Sequence, residues 1–281
     1  MSWVVGRRTI DLAARPCIMG ILNVTPDSFS DGNSFFSTEQ AVARAVAMEA
    51  DGADIIDIGG ESTRPKAAQV SPEEELQRVI PVVERLAGRL RIPLSIDTTK
   101  AVVAERALAA GAEIINDISA MTFDPRMAEV VAAAGAGVVL MHTRGTPADM
   151  QKDTRYGDIV GEIKEFLGDA LHRAALSGIA TEQVVIDPGV GFGKDREGNL
   201  EILRRLDEFS SLGRPVLVGA SRKSFIGTTL GRDVEERVFG TAATVALALV
   251  SGATIFRVHD VRAMRDVADM TRAIMQGPLQ R

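Results

Sequence analysis

The amino-acid sequence predicts an α/β protein: a single (β/α)8 barrel, the TIM-barrel architecture, preceded by an N-terminal β-hairpin. Three observations lead there. Eight short apolar runs recur along the 281 residues, near positions 18, 55, 94, 114, 138, 184, 216 and 255. A helical pattern follows each run, and strict alternation of strand and helix implies a parallel sheet. Eight such units in this length favour a closed barrel over an open doubly wound sheet. No Gly-x-Gly-x-x-Gly turn opens a helix after the first run, which speaks against a nicotinamide-cofactor fold.

Taken in order, Trp3-Val4-Val5 and Thr9-Ile10-Asp11-Leu12 flank Gly6-Arg7-Arg8 and read as the hairpin. The first barrel strand, Ile18 to Leu22, opens at Asn23 into a polar, turn-rich stretch that includes Thr25-Pro26-Asp27-Ser28 and Ser30-Asp31-Gly32. The next helix signal is the capping box Ser37-Thr38-Glu39-Gln40. A loop that long in a compact domain is usually functional. Thereafter a hinge precedes each of four strands: Asp51-Gly52-Ala53-Asp54, Ala110-Gly111-Ala112-Glu113, Ala134-Gly135-Ala136-Gly137 and Ser251-Gly252-Ala253-Thr254. Glycine suits a helix C-terminus because it enters the left-handed region without a Cβ clash. Ser71-Pro72-Glu73-Glu74 and Asp124-Pro125 mark further helix starts. Leu94–Asp97, Val184–Asp187 and Val216–Gly219 are further strands. No linker or low-complexity tract interrupts the pattern, so one domain is expected over 1–281, the hairpin at 1–16 and the barrel at 17–276.

The composition, 46% hydrophobic and 25% charged, suits a soluble protein with a large core. A net charge of −6 argues against nucleic acid as a partner, although a local cationic cluster can still take an anionic substrate. Cys17 is the single cysteine, so no internal disulfide can form, and a buried thiol in a reducing cytosol is expected. No basic-then-apolar N-terminal segment reads as a signal peptide. The most apolar run, Ala242 to Val250, is too short to span a bilayer. A cytoplasmic protein without a membrane partner is expected.

In such a barrel the chemistry sits at the carboxyl ends of the strands. Those ends carry Asn23, Asp57, Asp97, Asn116 with Asp117, His142, Asp187, then Lys223, Arg257 and His259. Carboxylates and amides from the first six strands thus face cations from the last two. Arg257, His259, Lys223 and Arg64 suit phosphate or diphosphate oxygens. Asp97, Asn116 and Asp187 suit a planar, donor-rich group such as a 2-amino-4-oxo-pyrimidine edge. Asp57 and Asp117 are expected mainly to anchor loops, and His142 is balanced between pocket wall and structural residue. Three histidines and one cysteine are too scattered for zinc, and no Gly-x-Ser-x-Gly elbow supports serine hydrolysis.

From about residue 17 to the C-terminal helix, the sequence resembles the dihydropteroate synthases, a family of pterin-binding barrels. The resemblance rests on ILNVTPDSFSDG at 21–32, GADIIDIGGESTRP at 52–65, IDT at 96–98, IINDIS at 114–119, MH with GTP at 141–147, DPGVGFGK at 187–194, GASRKSF at 219–225 and RVHD at 257–260. Asn33, where Gly or Ser is usual, and Thr143, where Met is common, depart from it. The resemblance implies condensation of (7,8-dihydropterin-6-yl)methyl diphosphate with p-aminobenzoate, giving 7,8-dihydropteroate and diphosphate in folate biosynthesis. It implies catalytic roles for Asp97, Lys223, Arg257 and His259. Asp97, Asn116, Asp187 and Lys223, with Met141, Phe192 and Gly219, would receive the pterin. Asn23, Thr63, Arg64, Arg257, Val258 and His259 would surround the diphosphate, with Asn23 ligating a Mg2+ cofactor. Phe29, Pro65, Phe192 and Ser224 would shape the p-aminobenzoate site, which sulfonamides occupy in the family.

Two other readings share the barrel. A methyltetrahydrofolate–corrinoid methyltransferase would use the pterin-reading groups without diphosphate, and Ser221-Arg222-Lys223-Ser224, Arg257-x-His259 and the long first loop disfavour it. An inactive pterin-binding paralogue would be expected to have lost a loop or a cation, and every motif is intact. Finally, the helix from Phe239 to Val250 has no charged residue over three turns, which points to a subunit interface and a homodimer.

Overall fold

The computed structural model describes residues 1–25, 34–63, 67 and 69–276. Strands β1 (Ser2–Val5) and β2 (Arg8–Asp11) pair antiparallel as the expected hairpin, with Trp3 opposite Ile10. Eight parallel strands follow: β3 (Cys17–Asn23), β4 (Ile55–Gly59), β5 (Leu94–Asp97), β6 (Ile114–Asp117), β7 (Gly137–Met141), β8 (Val184–Asp187), β9 (Leu217–Val218) and β10 (Ile255–Val258). Each of β3 to β7 pairs with the next, and β10 pairs with both β3 and β9. A bridge from Ile186 to Val216 joins β8 to the approach to β9 and closes the barrel. The short β9 has a local cause. Pro215 has no N–H to offer a ladder, and Gly219 packs no side chain, so regular pairing is confined between them.

Helices α1 (Ser34–Ala50), α2 (Pro72–Leu86), α3 (Ala101–Ala109), α4 (Met127–Ala134), α5 (Ile159–Leu176), α6 (Arg196–Arg204), α7 (Ser224–Leu230), α8 (Val238–Val250) and α9 (Val261–Gln276) are distributed along the chain between and after the barrel strands. At α2 the expected cap is present: Ser71 Oγ accepts from the Glu74 N–H at 3.2 Å, and Pro72 is the first helical residue. The hinge glycines Gly52, Gly111, Gly135 and Gly252 all have positive φ, between 61° and 115°. One boundary differs. Helix α1 begins at Ser34 rather than after Ser37, because no proline or glycine from 34 to 37 stops it earlier.

Period-two alternation divides each strand between two cores. Ile18, Ile56, Ile58, Ile96, Ile115, Val138, Leu140, Ile186, Val218, Phe256 and Val258 face the helices. Met19, Ile55, Ile114, Val139, Val185, Leu217 and Ile255 pack inside the barrel with Trp3, Val5, Leu12 and Cys17. The hairpin is therefore a plug for the amino-terminal end of the barrel. Trp3 is wholly buried and donates its indole N–H to the Gln183 carbonyl at 2.8 Å. Val5 lies so close to Gly137 that a Cβ there would fall 2.6 Å from Val5 Cγ1. That contact, rather than backbone freedom, explains the glycine.

Candidate active site

Two residues beyond that apolar layer, the same alternation turns Asp57, Asp97, Asn116, Met141, Asp187, Gly219 and Arg257 to the carboxyl-terminal mouth. The strands that build a dry lower core thus deliver polar groups one step higher. Arg257 is the hub. Its Nε donates to Asp57 Oδ2 at 2.6 Å and its Nη2 to Asp97 Oδ2 at 2.7 Å. Asp57 also accepts from Asn116 Nδ2 at 3.0 Å. Asp57 is wholly buried, so its expected role as a loop anchor is corrected: it holds Arg257 and Asn116 from inside the barrel. Asp117, pointing outward, does anchor a loop, accepting from Ser119 N and Oγ and from Met121 N.

Burial is the main force on the charges. It raises the Asp97 carboxyl to about 7, against the opposing Arg257 cation, with Asp57 adding to the rise. Asp187 is raised for the same reason, partly offset by Lys223 and by the Gly189 N–H that its carboxylate accepts at 2.7 Å. Burial lowers the Lys223 ammonium to about 8, against the pull of Asp187. Burial also disfavours the Arg257 cation, but Asp57 and Asp97 outweigh it and hold the guanidinium above its ordinary value. Three carboxylates and two cations share one desolvated floor, and Asp97, Asp187 and Lys223 are the shifted groups sensitive to what binds over it.

Two loops shape the walls. In the 187–194 loop, Lys194 is buried and donates to His142 Nδ1 at 2.9 Å, to the His142 carbonyl at 3.3 Å and to the Phe192 carbonyl at 2.7 Å. This makes His142 a structural residue, further packed edge-on against Phe166 with centroids 4.9 Å apart. Phe192 is buried beneath the Lys223 ammonium, which lies 4.4 Å from its ring centroid and also donates to the Val190 carbonyl. After β9, Ser221 Oγ meets His259 Nδ1 at 2.9 Å and accepts from the His259 N–H at 3.1 Å. Arg222, at φ +56°, forks onto Asp260. Ser224 opens α7 exposed at the rim.

The structure thus brings Asp97, Asn116, Met141, Asp187, Phe192, Gly219, Lys223 and Arg257 to one mouth, with Asn23, Ser224 and His259 at its edge. Val258 is the exception, since its side chain lies in the helix-facing core. Thr63 is described and lines a cavity of about 480 Å³ beside Asp97; Phe29, Arg64 and Pro65 lie outside the described residues. Sequence reading missed Ser221 against His259 and Lys194 against His142. Both partners stood in motifs, but their pairing depends on loops that meet only in the fold.

A match to the pterin binding enzyme family model covers residues 19–259. The chain is 50% identical over 271 residues to a dihydropteroate synthase of Synechocystis, covering 96% of this chain and 94% of that protein. The chain belongs to the dihydropteroate synthase family. Solved structures agree. The Xanthomonas albilineans dihydropteroate synthase with 4-aminobenzoic acid superposes with a TM-score of 0.92 at 45% identity, covering 99% of both chains. The same organism's enzyme in complex with 7,8-dihydropteroate gives a TM-score of 0.89 at 42% identity, over 99% of this chain and 100% of that one.

The family reading implies a metal, and the donor chemistry can be tested against it. Among the described residues no group of three His, Cys, Asp or Glu side chains could hold an ion. That excludes a protein cage there, not a magnesium ion that takes one protein oxygen and completes its shell from water and phosphate. Asn23 offers a neutral oxygen at the end of β3, with Oδ1 3.8 Å from where a Cβ on Gly59 would stand. The single amide fits the second kind of site.

Proposed function

We propose that this chain condenses (7,8-dihydropterin-6-yl)methyl diphosphate with p-aminobenzoate, forming 7,8-dihydropteroate and diphosphate. The observation that carries the reading is the mixed floor of the mouth: Asp97, Asn116 and Asp187 stand with Lys223 and Arg257 at adjoining strand ends. Asp187 and Asn116 receive the amino-oxo edge of the pterin, with Met141 and Phe192 along its faces and Lys223 beside it. Thr63, Arg64, Arg257 and His259 surround the diphosphate. Phe29, Pro65, Phe192 and Ser224 border p-aminobenzoate.

The bond from the pterin methylene to the diphosphate oxygen breaks, and its electron pair leaves with diphosphate. The arylamine nitrogen supplies the pair for the new C–N bond and releases a proton to water. Magnesium, when bound at Asn23, neutralises charge on the leaving group. Arg257 and His259 act on the same charge from the protein side. Asp97 stabilises the electron-poor pterin methylene electrostatically. The arylamine is nucleophile enough for such a carbon, so no activated serine or cysteine is needed. Diphosphate release measured with and without p-aminobenzoate tests the reaction; release that ignores p-aminobenzoate, or no release at all, counts against it.

The exposed face of α8 and α9 supports a homodimer. Phe239, Leu247, Met270 and Ile274 are 84%, 65%, 63% and 74% exposed on this single chain, a patch of a kind that monomers rarely leave open. Light scattering of a Leu247→Glu variant tests it, with the wild type expected near twice 30.0 kDa and the variant near 30.0 kDa. A cytoplasmic placement is proposed as well; among the described residues no helix is long and apolar enough to cross a membrane.

A further inference from the structure

Behind the mouth, on the side of β4 and β5, stands a second cluster of charges that the reaction above does not use. Lys100, which immediately precedes α3, donates its ammonium to Glu61 Oε2 and to Glu75 Oε2. Glu75 lies in the first turn of α2 and is wholly buried, an expensive place for a carboxylate without a cation. Among the described residues its other oxygen, Oε1, has no hydrogen-bond partner. Lys100 is therefore the cation that makes Glu75 tolerable. It also reaches across to Glu61, the first residue after Gly59-Gly60 at the end of β4.

Glu61 does a second thing. Its Oε1 accepts the Val70 N–H at 3.1 Å, so the stretch that leaves β4 at 61 is drawn back at 70, just before the Ser71 cap of α2. Arg78, from the next turns of α2, donates to the Gly60 carbonyl at 2.6 Å and pairs with Glu74. Gly60 itself is pressed onto α2, for a Cβ there would lie 2.8 Å from Val79 Cγ1 and 3.0 Å from Glu75 Cγ. The two ends of the 61–70 stretch are thus fixed to one another and to α2, and Lys100 fixes both to the segment that leaves β5 at Asp97. Glu61, Thr63, Val70, Asp97 and Lys100 all line the same cavity of about 480 Å³.

We infer that Lys100 is a positioning residue: through Glu61 and buried Glu75 it holds the two ends of the 61–70 stretch, and with them Thr63, so that Thr63 meets the diphosphate of the substrate. The inference rests on the function proposed above. Lys100 is not among the groups proposed to read the pterin edge, which are Asn116 and Asp187 with Met141, Phe192 and Lys223. Its loss should weaken diphosphate recognition and leave pterin recognition alone. A displaced binding group can cost on the order of tenfold to a hundredfold.

The test uses Lys100→Met and the double variant Lys100→Met with Glu75→Gln. Calorimetry with diphosphate in the presence of Mg2+, and separately with 6-hydroxymethyl-7,8-dihydropterin, reads the two halves of the site. The single variant should be destabilised by its unpaired buried carboxylate. The double variant, with both charges gone, should recover most of that stability, yet both variants should bind diphosphate about tenfold more weakly and the pterin alcohol within twofold of wild type. If the double variant recovers diphosphate affinity along with stability, Lys100 serves only to neutralise Glu75 and the inference fails. Diphosphate affinity equal to wild type in both variants overturns it as well. Wild-type protein that binds the pterin alcohol but not diphosphate overturns the proposed reaction, and this inference with it.

Discussion

The two ends of the barrel are made by the same strands and obey opposite rules. At the amino-terminal end, Trp3, Val5, Met19, Ile55, Ile114 and Ile255 fill the interior with apolar volume, and the one indole N–H is satisfied by Gln183. At the carboxyl-terminal end, the next inward residues are Asp57, Asp97, Asn116, Asp187 and Arg257, four charged groups and one amide held in a desolvated floor. The first end should carry stability and little activity. The second should carry activity and, where a buried charge is removed cleanly, cost little stability or add some.

The largest expected effect breaks the plug. Trp3→Ala should cost about 3–5 kcal/mol of unfolding free energy, read by urea denaturation, while turnover per folded molecule stays at the wild-type level. A fall in turnover to match would mean that the two ends are not separable. Next, Asp187→Asn should weaken pterin binding by about 2–4 kcal/mol, since it sets a donor against donors in a buried site. Its melting temperature should hold or rise, and calorimetry showing wild-type pterin affinity would remove Asp187 from the pterin edge. Gly137→Ala forces a methyl group onto Val5 and should cost about 1–3 kcal/mol, again without touching the Michaelis constants.

The last prediction, a slope across a pH window rather than a single loss, sharpens the comparison through pH. The Asp97 carboxyl is raised to about 7 in the folded protein, chiefly by burial, against about 3.9 in an unfolded chain. The folded state then binds the extra proton between those values. The stabilising contribution of this group is complete below about pH 4 and is lost as pH rises through 7. Asp97→Asn should flatten the stability profile in that window, by at most about 1.4 kcal/mol per pH unit. An unchanged slope would mean that another group sets it.

How much of this was legible in the sequence follows from the range of each interaction. The eight strands could be read because each is announced locally, by a short apolar run with a helical pattern after it, in four cases by a glycine hinge before it, and in most by a polar residue at its end. The inward residues could be read because alternation along one strand needs no knowledge of the others. Asp57 was misjudged because its partner Arg257 lies 200 residues away; a lone aspartate at a strand end looks the same whether it holds a loop or a guanidinium. His142 could not be decided for the same reason, its partner Lys194 standing 52 residues on. The apolar face of α8 was visible as an absence of charge, but only the packing shows that Val245 and Ala248 turn inward while Phe239, Leu247 and Val250 remain outside.

The plug has one more consequence, for observation rather than for stability. Trp3 is the only tryptophan in the chain, and it is sealed at the end of the barrel away from the substrates, its N–H fixed to the carbonyl just before β8. Its fluorescence is therefore a built-in signal for barrel closure. An emission shift should accompany release of the hairpin or opening of the β7–β8 seam, and ligands arriving at the mouth should leave its wavelength unmoved. The protein carries an optical marker of its own architecture, placed where chemistry does not disturb it.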